Sequence, residues 1–295
     1  MTSERLKPKL EEKVFILGKD ILRPGEIPSI TVWGNTLPEA WENAVLATME
    51  YGTHIPTEYD QEIDPQSRDA TMMITVFNPL KEPRIHRALP CGFSDLAVYV
   101  REVVDGIHDD LVKPGGWTYS YHDRLFNWPG INKNFEVGNI DQIDTLIKKL
   151  AEAPHSRRAQ AITWVPPLDA TESEPPCLQR VWFRVVKSEK ETYLLEMNTH
   201  WRSRDAFKAA FMNMYAFVEL QKKVAGQLSQ ITGKNIEVGR YVDIADSFHI
   251  YGSYIRKGEM DGFIASLEKR NFKERTCRSD DPYIRAEFAE GRARK

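Results

Sequence analysis

The chain has 295 residues, of which 41% are hydrophobic, and a formal net charge of -3. Such a length supports a sizeable core. The near-neutral charge argues against a general nucleic-acid binder, and no stretch approaches the roughly 20 apolar residues of a membrane span. Three cysteines, Cys91, Cys177 and Cys277, without a C-x-x-C pair argue against a disulfide framework and a structural zinc site. With a charged start and no apolar run behind it, the reading is a soluble, metal-free protein of the reducing cytoplasm.

Residues 1–30 are polar and punctuated by proline, and read as an N-terminal extension packed on one domain that spans 31–295. Leu37 to Tyr51 has helical apolar spacing, with Pro38 in its first turn. A polar loop and Ser67-Arg68-Asp69-Ala70 follow, and the β-rich run Thr71 to Phe77 predicts a strand. Phe93 to Ile107 predicts a second helix, Trp117 to Trp128 is dense in aromatics, and Asp141 to Ala151 is an amphipathic helix. Ala159 to Val165, Val181 to Val186 and Tyr193 to His200 are β-type runs. Asp205 to Leu228 returns to helix, with Phe207, Phe211, Met214, Val218 and Ala225 on one face and Phe217, Leu220 and Val224 on another. A helix apolar around most of its circumference belongs in a core. Arg240 to Asp246 predicts a further strand. Strands and helices mixed without regular alternation define an α+β fold.

Cys177 stands in Glu-Pro-Pro-Cys-Leu-Gln, where two prolines fix the backbone ahead of the thiol. A lone cysteine is usually a small buried hydrophobe, but the surroundings of this one suggest chemistry. Arg202-Ser203-Arg204-Asp205 follows 25 residues later. Arg68, the pair Arg157-Arg158 and Arg202 all flank strands or polar loops, and several guanidinium forks together bind a phosphate dianion. Each could equally be a solvated surface arginine. Asn213 is an unusual residue in an apolar helix, and a buried amide must be satisfied. His249 and Tyr251 could be ordinary strand-end residues, and Asp205 could simply cap its helix.

In order and approximate spacing these motifs resemble the thymidylate synthase and pyrimidine nucleotide hydroxymethylase family from about residue 60 to 255. Ser156-Arg157-Arg158, after the amphipathic helix, resembles the family stretch that delivers two arginines into the neighbouring subunit's site. Trp164 and the prolines after it resemble the strand that leads to the catalytic Pro-Cys. Arg202-Ser203 and Asp205 match Arg-Ser-x-Asp, Asn213 matches the asparagine that reads the pyrimidine edge, and His249-Ile250-Tyr251 matches the His-x-Tyr that holds the ribose hydroxyl. Ser67-Arg68-Asp69 resembles the N-terminal phosphate arginine, and Tyr119 to Arg124 resembles Tyr-Gly-x-Gln-Trp-Arg.

The resemblance implies a mixed sheet packed with helices, a sheet-mediated homodimer, and dUMP and 5,10-methylenetetrahydrofolate as substrates. Cys177 would attack the pyrimidine, Tyr119 would share in catalysis, and Asp205 would contact the folate pterin. The arginines and Ser203 would hold the phosphate, supplying remote binding energy that positions the ring.

Several positions depart from the family pattern. Pro-Cys-His is Pro-Cys-Leu here, with Leu178 in place of histidine, and the glutamine five residues after the nucleophile is Trp182. Gln-Arg-Ser has become Trp201-Arg202-Ser203. The glycine-rich stretch before the asparagine reads Lys208-Ala209-Ala210-Phe211-Met212. Ser247 stands where the family has an aspartate two residues before His-x-Tyr, with Asp246 one residue further back. The proton-relay glutamate is Tyr99 in one register and Glu102 in a shifted one, and Glu102 is the nominee. The polar ending Arg292-Ala293-Arg294-Lys295 leans towards water entry, hence towards a hydroxymethylase or, if catalysis is lost, a nucleotide binder. Aromatic residues including Trp117, Trp182 and Trp201 offer another cover for a folate.

Overall fold

The computed structural model describes residues 12–131, 137–189 and 191–294. The strands in chain order are β1 (Val14–Ile16), β2 (Ser29–Gly34), β3 (Thr53–Ile55), β4 (Ser67–Val76), β5 (Ile85–His86), β6 (Trp128–Ile131) and β7 (Val137–Ile140). They continue with β8 (Gln160–Ile162), β9 (Leu178–Lys187), β10 (Thr192–Trp201), β11 (Arg204–Asp205), β12 (Asn235–Ile250) and β13 (Thr276–Cys277). The chain forms two compact units. One takes residues 12–92, 201–214 and 242–285; the other takes 93–200, 215–241 and the C-terminal residues from 286.

In the first unit the sheet order is β1-β2-β4-β12, with β3 on β4 and β11 on β12. The pairing is mixed, since β1–β2 and β3–β4 are antiparallel while β2–β4 and β11–β12 are parallel. β1 lies within the segment expected to be an extension, and β2 straddles its boundary. The helix Leu37–Tyr51 forms with the expected bounds and with proline in its first turn. Its Trp41 is fully buried among Phe207, Phe211 and Phe263. The indole nitrogen, which cannot be buried without an acceptor, donates to the Ala206 carbonyl at 2.8 Å. Beside it Glu42, also fully buried, takes a two-pronged bond from Arg275 at 2.8 and 2.9 Å and lies 3.0 Å from His86 Nε2. These groups tie the helices Glu259–Lys269 and Phe272–Arg275 into the unit. Neither helix is among the elements predicted from apolar periodicity.

In the second unit the order is β12-β10-β9-β8, with β8 antiparallel to β9. The ten-residue strands β9 and β10 bury alternate side chains, as a sheet with one covered face must. The helix Gln142–Glu152 starts from Asp141, whose carboxylate accepts the Asp144 amide at 2.8 Å. Phe93–Asp105 also forms as expected, two residues shorter than its periodicity suggests.

Two of the boundaries that differ from expectation bear on the site residues. The strand predicted from Thr71 begins at Ser67, so Arg68 and Asp69 lie on β4 and not in a loop. The helix predicted from Asp205 begins at Ala210. Asp205 instead pairs in β11, and its side chain accepts the Phe207 and Lys208 amides at 3.0 and 2.8 Å, closing a turn ahead of the helix. Every apolar residue named for that helix is buried, from Phe211 to Ala225.

Candidate active site

Cys177 is half-buried on the turn that enters β9, after Pro175 and the buried Pro176. The Gln179 amide donates to the Pro176 carbonyl at 3.0 Å and braces that turn from below. The chain alongside is also fixed. Arg124 makes a buried bidentate pair with Asp169 at 2.9 and 2.8 Å and donates to the Thr163 carbonyl at 3.0 Å. Asp169 also accepts the Val165 amide at 2.6 Å, while the Thr163 hydroxyl donates to the Leu178 carbonyl. Leu178 itself is fully buried. Its side chain therefore fills core space at the position where the family pattern has histidine.

A cavity of about 170 Å³ in the same unit is lined by Tyr99, Glu102, Val103, Trp117, Tyr119, Ser120 and Tyr121. The structure thus brings Glu102 and Tyr119 into one cavity, along with Tyr99, the other register of the relay position, and with Trp117 and Tyr121. Glu102 is 2.7 Å from His108 Nδ1. The Tyr119 and Tyr121 rings lie 5.6 Å apart. The Tyr121 phenol is pushed well above its ordinary value, first by burial and then by Tyr119, Tyr99 and Cys177 nearby. Tyr121 therefore stays a neutral phenol beside the thiol. Arg157 and Arg158 stand exposed on the loop before β8, where the Trp182 indole donates to the Arg157 carbonyl at 3.1 Å.

The first unit holds the remaining residues. A cavity of about 220 Å³ is lined by Thr57, Glu58, Tyr59, Asp69, Ser203, Ser247, His249 and Tyr251. Ser203, His249 and Tyr251 are thereby gathered as expected, and the His249 and Tyr251 rings meet edge to face at 4.7 Å. Behind Tyr251 the chain turns under the Pro65 carbonyl so closely that only Gly252 fits, a Cβ there overlapping that carbonyl. The Gly252 amide donates to the Ser67 hydroxyl at 3.0 Å. Arg68 is not one of the lining residues; its guanidinium donates to the Gln66 carbonyl at 3.1 Å, and burial pushes its pKa down. The neighbour Asp69, on the other face of the strand, does line the cavity.

Asp205 is paired in register with His249, and its second carboxylate oxygen accepts the Tyr254 hydroxyl at 2.6 Å. Burial, and then that hydrogen bond, push the Tyr254 phenol up. Arg202 is half-buried in the turn between β10 and β11. Asn213 is buried in the first turn of the helix Ala210–Thr232. Burial pushes the His249 imidazole below its ordinary value, against the opposing pull of Asp205, Asp69, the Ser247 backbone and Asp60. Sequence reasoning missed Asp69, Ser247, Tyr254, Tyr121 and Asp169. The signal for the first two was the displaced aspartate, which left a serine needing an acidic neighbour.

The fold and these two clusters define an α+β protein with a proline-held cysteine and a polar, aromatic-walled cavity. The sequence model of the thymidylate synthase family matches residues 108–273. The chain is 29% identical over 242 residues to a Methanosarcina mazei protein named "Putative thymidylate synthase", covering 81% of this chain and 93% of that one. It is 28% identical over 221 residues to a Methanocaldococcus jannaschii protein of the same name, covering 73% and 88%. Thermostable thymidylate synthase A from Bacillus subtilis shares the fold, with a TM-score of 0.58 at 18% identity over 80% of this chain and 86% of that one. The chain belongs to the thymidylate synthase family, and membership implies a one-carbon transferase acting on a pyrimidine nucleotide.

Proposed function

We propose that the chain transfers a one-carbon unit from 5,10-methylenetetrahydrofolate to carbon 5 of dUMP, giving dTMP and dihydrofolate. The observation that carries the reading is Cys177, held on a proline-fixed turn near Tyr121 within the residues that match the family. The thiolate adds to carbon 6 of the pyrimidine, which makes carbon 5 nucleophilic towards the methylene of the folate. Carbon 5 then loses its proton and the folate nitrogen leaves, giving an exocyclic methylene. Hydride from the released tetrahydrofolate adds to it as Cys177 departs as thiolate, leaving dTMP and dihydrofolate. Ser203, Arg68 and Arg202 bind the phosphate, Asn213 reads the base, and His249 with Tyr251 holds the sugar. Glu102 and Tyr119 move protons at the pyrimidine.

The aromatic walls supplied by Tyr99, Trp117, Tyr119 and Tyr121 fit a flat pterin. No group of three or more metal-ligating side chains occurs among the described residues, and the reaction as proposed needs none. No helix among the described residues is long and apolar enough to cross a membrane.

The active unit in this proposal is a homodimer, with Arg157 and Arg158 crossing into the neighbouring site. Its support is the outer face of the first unit's sheet. There Phe15, Thr31 and Met73 stand side by side in register, with Phe15 62% and Met73 39% exposed, an apolar stripe suited to a second copy of this chain.

Incubation with dUMP and 5,10-methylenetetrahydrofolate tests the reaction. The expected outcome is dTMP with one dihydrofolate per turnover. A product heavier by one oxygen, with tetrahydrofolate, makes the enzyme a hydroxymethylase. Binding of dUMP without product makes it a nucleotide binder.

A further inference from the structure

Ser247 donates its hydroxyl hydrogen to Asp69 Oδ2 at 2.8 Å, and the Ser247 Oγ itself lies 3.3 Å from His249 Nδ1. Asp69 is 8% exposed and His249 is 6% exposed. His249 Nε2 is buried and meets no hydrogen-bond partner among the described residues. All three residues line the cavity that also contains Ser203 and Tyr251.

The direction of this chain of bonds follows from counting hydrogens. A serine hydroxyl has one, and here it is given to Asp69 Oδ2, which accepts it. The hydroxyl oxygen can then only accept from the imidazole. Nδ1 therefore carries the ring proton, and Nε2 presents a lone pair. The other carboxylates acting on the ring are Asp60 and Asp205. Asp60 accepts the Ser67 hydroxyl at 2.8 Å and the Thr57 amide at 2.7 Å, and Asp205 is bound by Tyr254. A buried acceptor with no donor is costly unless a ligand supplies one.

We propose that Asp69 and Ser247 are positioning residues that fix His249 as its Nδ1–H tautomer, so that Nε2 accepts a hydrogen bond from the 3′-hydroxyl of the bound nucleotide. This rests on the nucleotide reading above and adds what sets the acceptor. The carboxylate lost from the position before His-x-Tyr is replaced by one lying 178 residues from Ser247 in the chain and delivered by β4. The site thereby selects a sugar that can donate, and a sugar lacking that hydroxyl leaves Nε2 orphaned.

Two measurements test the proposal separately. Nitrogen-15 NMR of histidine-labelled protein without ligand should show His249 protonated on Nδ1 in the wild type. Ser247→Ala and Asp69→Asn should both move it towards the Nε2–H form, and Ser247→Thr should keep it on Nδ1. A wild-type ring protonated on Nε2 overturns the proposal.

Calorimetry should then show the wild type binding dUMP about tenfold or more tightly than 2′,3′-dideoxyuridine monophosphate. Ser247→Ala and Asp69→Asn should collapse that ratio to about threefold or less, and Ser247→Thr should restore it. An unchanged ratio in a folded Ser247→Ala variant overturns the proposal even if the tautomer is as expected. Should Asp69→Asn fail to fold, the Ser247 pair decides. If the wild type binds neither nucleotide, the nucleotide reading falls, and with it the sugar contact proposed for Nε2, while the NMR result still decides the tautomer.

Discussion

Arg204 and Asp243 form an ion pair at 2.9 Å with side chains 1% and 0% exposed, and the Arg204 guanidinium also lies 3.8 Å over the ring of Trp201. Its second nitrogen donates to the Ala210 carbonyl at 3.0 Å. This one side chain therefore fixes the turn that carries Arg202, Ser203 and Asp205 to β12. Removing one partner of a buried pair leaves the other charge uncompensated. Arg204→Ala is therefore expected to cost about 3–5 kcal/mol in urea unfolding. A loss below about 1 kcal/mol would show that the turn is held by something else.

The thiols should differ sharply. With 5-fluoro-dUMP and methylenetetrahydrofolate, a covalent adduct is expected on the peptide containing Pro176-Cys177, and Cys177→Ala should lose both adduct and turnover while still binding nucleotide. Cys277 should take no adduct. Burial, chiefly, pushes its thiol up to about 11 from an ordinary 9.0. The folded chain therefore holds that proton more tightly than the unfolded chain. The resulting stabilisation is complete below pH 9 and is lost as pH rises towards about 11. Peptide mapping of the adduct checks the assignment, and modification of Cys91 or Cys277 in its place overturns it.

What the sequence made legible follows from which signals are local. The helix Leu37–Tyr51 and the buried helix after Ala210 announce themselves through apolar periodicity, which needs no knowledge of distant partners. Ser203, His249 and Tyr251 were readable as members of short motifs, and one cavity gathers all three. Asp69, Asp169 and Tyr254 were not readable, because each matters through a residue far along the chain. Asp69 meets Ser247, Asp169 meets Arg124, and Tyr254 meets Asp205. The start of β4 at Ser67 was hidden for a similar reason. Its first three residues pair with β3, a three-residue strand that leaves no periodic trace.

Shared sites predict complementation. Inactive Arg157→Ala chains mixed with inactive Cys177→Ala chains should regain activity up to about a quarter of wild type, since random pairing places one intact site in half of the dimers. Activity assays after subunit exchange, confirmed by mass spectrometry, check this. No recovery after confirmed exchange would confine both arginines to their own subunit.

Base choice should follow Asn213, whose buried amide can donate to one exocyclic atom and accept from a ring N–H, as uracil requires. Asn213→Asp should shift preference from dUMP towards dCMP by at least about a hundredfold, because a site built for one hydrogen-bond pattern leaves groups unpaired with the other. Competition between the two nucleotides measures the ratio, and an unchanged ratio removes Asn213 from base reading.

Proton transfer divides Glu102 from Tyr99, which line one cavity three residues apart on the helix Phe93–Asp105. Tyr99 stands in the register of the family's glutamate. Glu102 is the one with a carboxylate, and its hydrogen bond to His108 holds it in place. A carboxylate can act as the base that takes a proton from the pyrimidine, whereas a neutral phenol is chiefly a donor. Glu102→Gln is therefore expected to lower kcat by about 10²–10⁴ with dUMP affinity nearly unchanged. Tyr99→Phe, which keeps the ring and removes only the hydroxyl, should lower kcat by less than about tenfold. Steady-state kinetics with calorimetric binding of dUMP separates the two effects. The reverse pattern, a crippled Tyr99→Phe beside an active Glu102→Gln, would transfer the relay to the tyrosine and make Glu102 a partner of His108 alone.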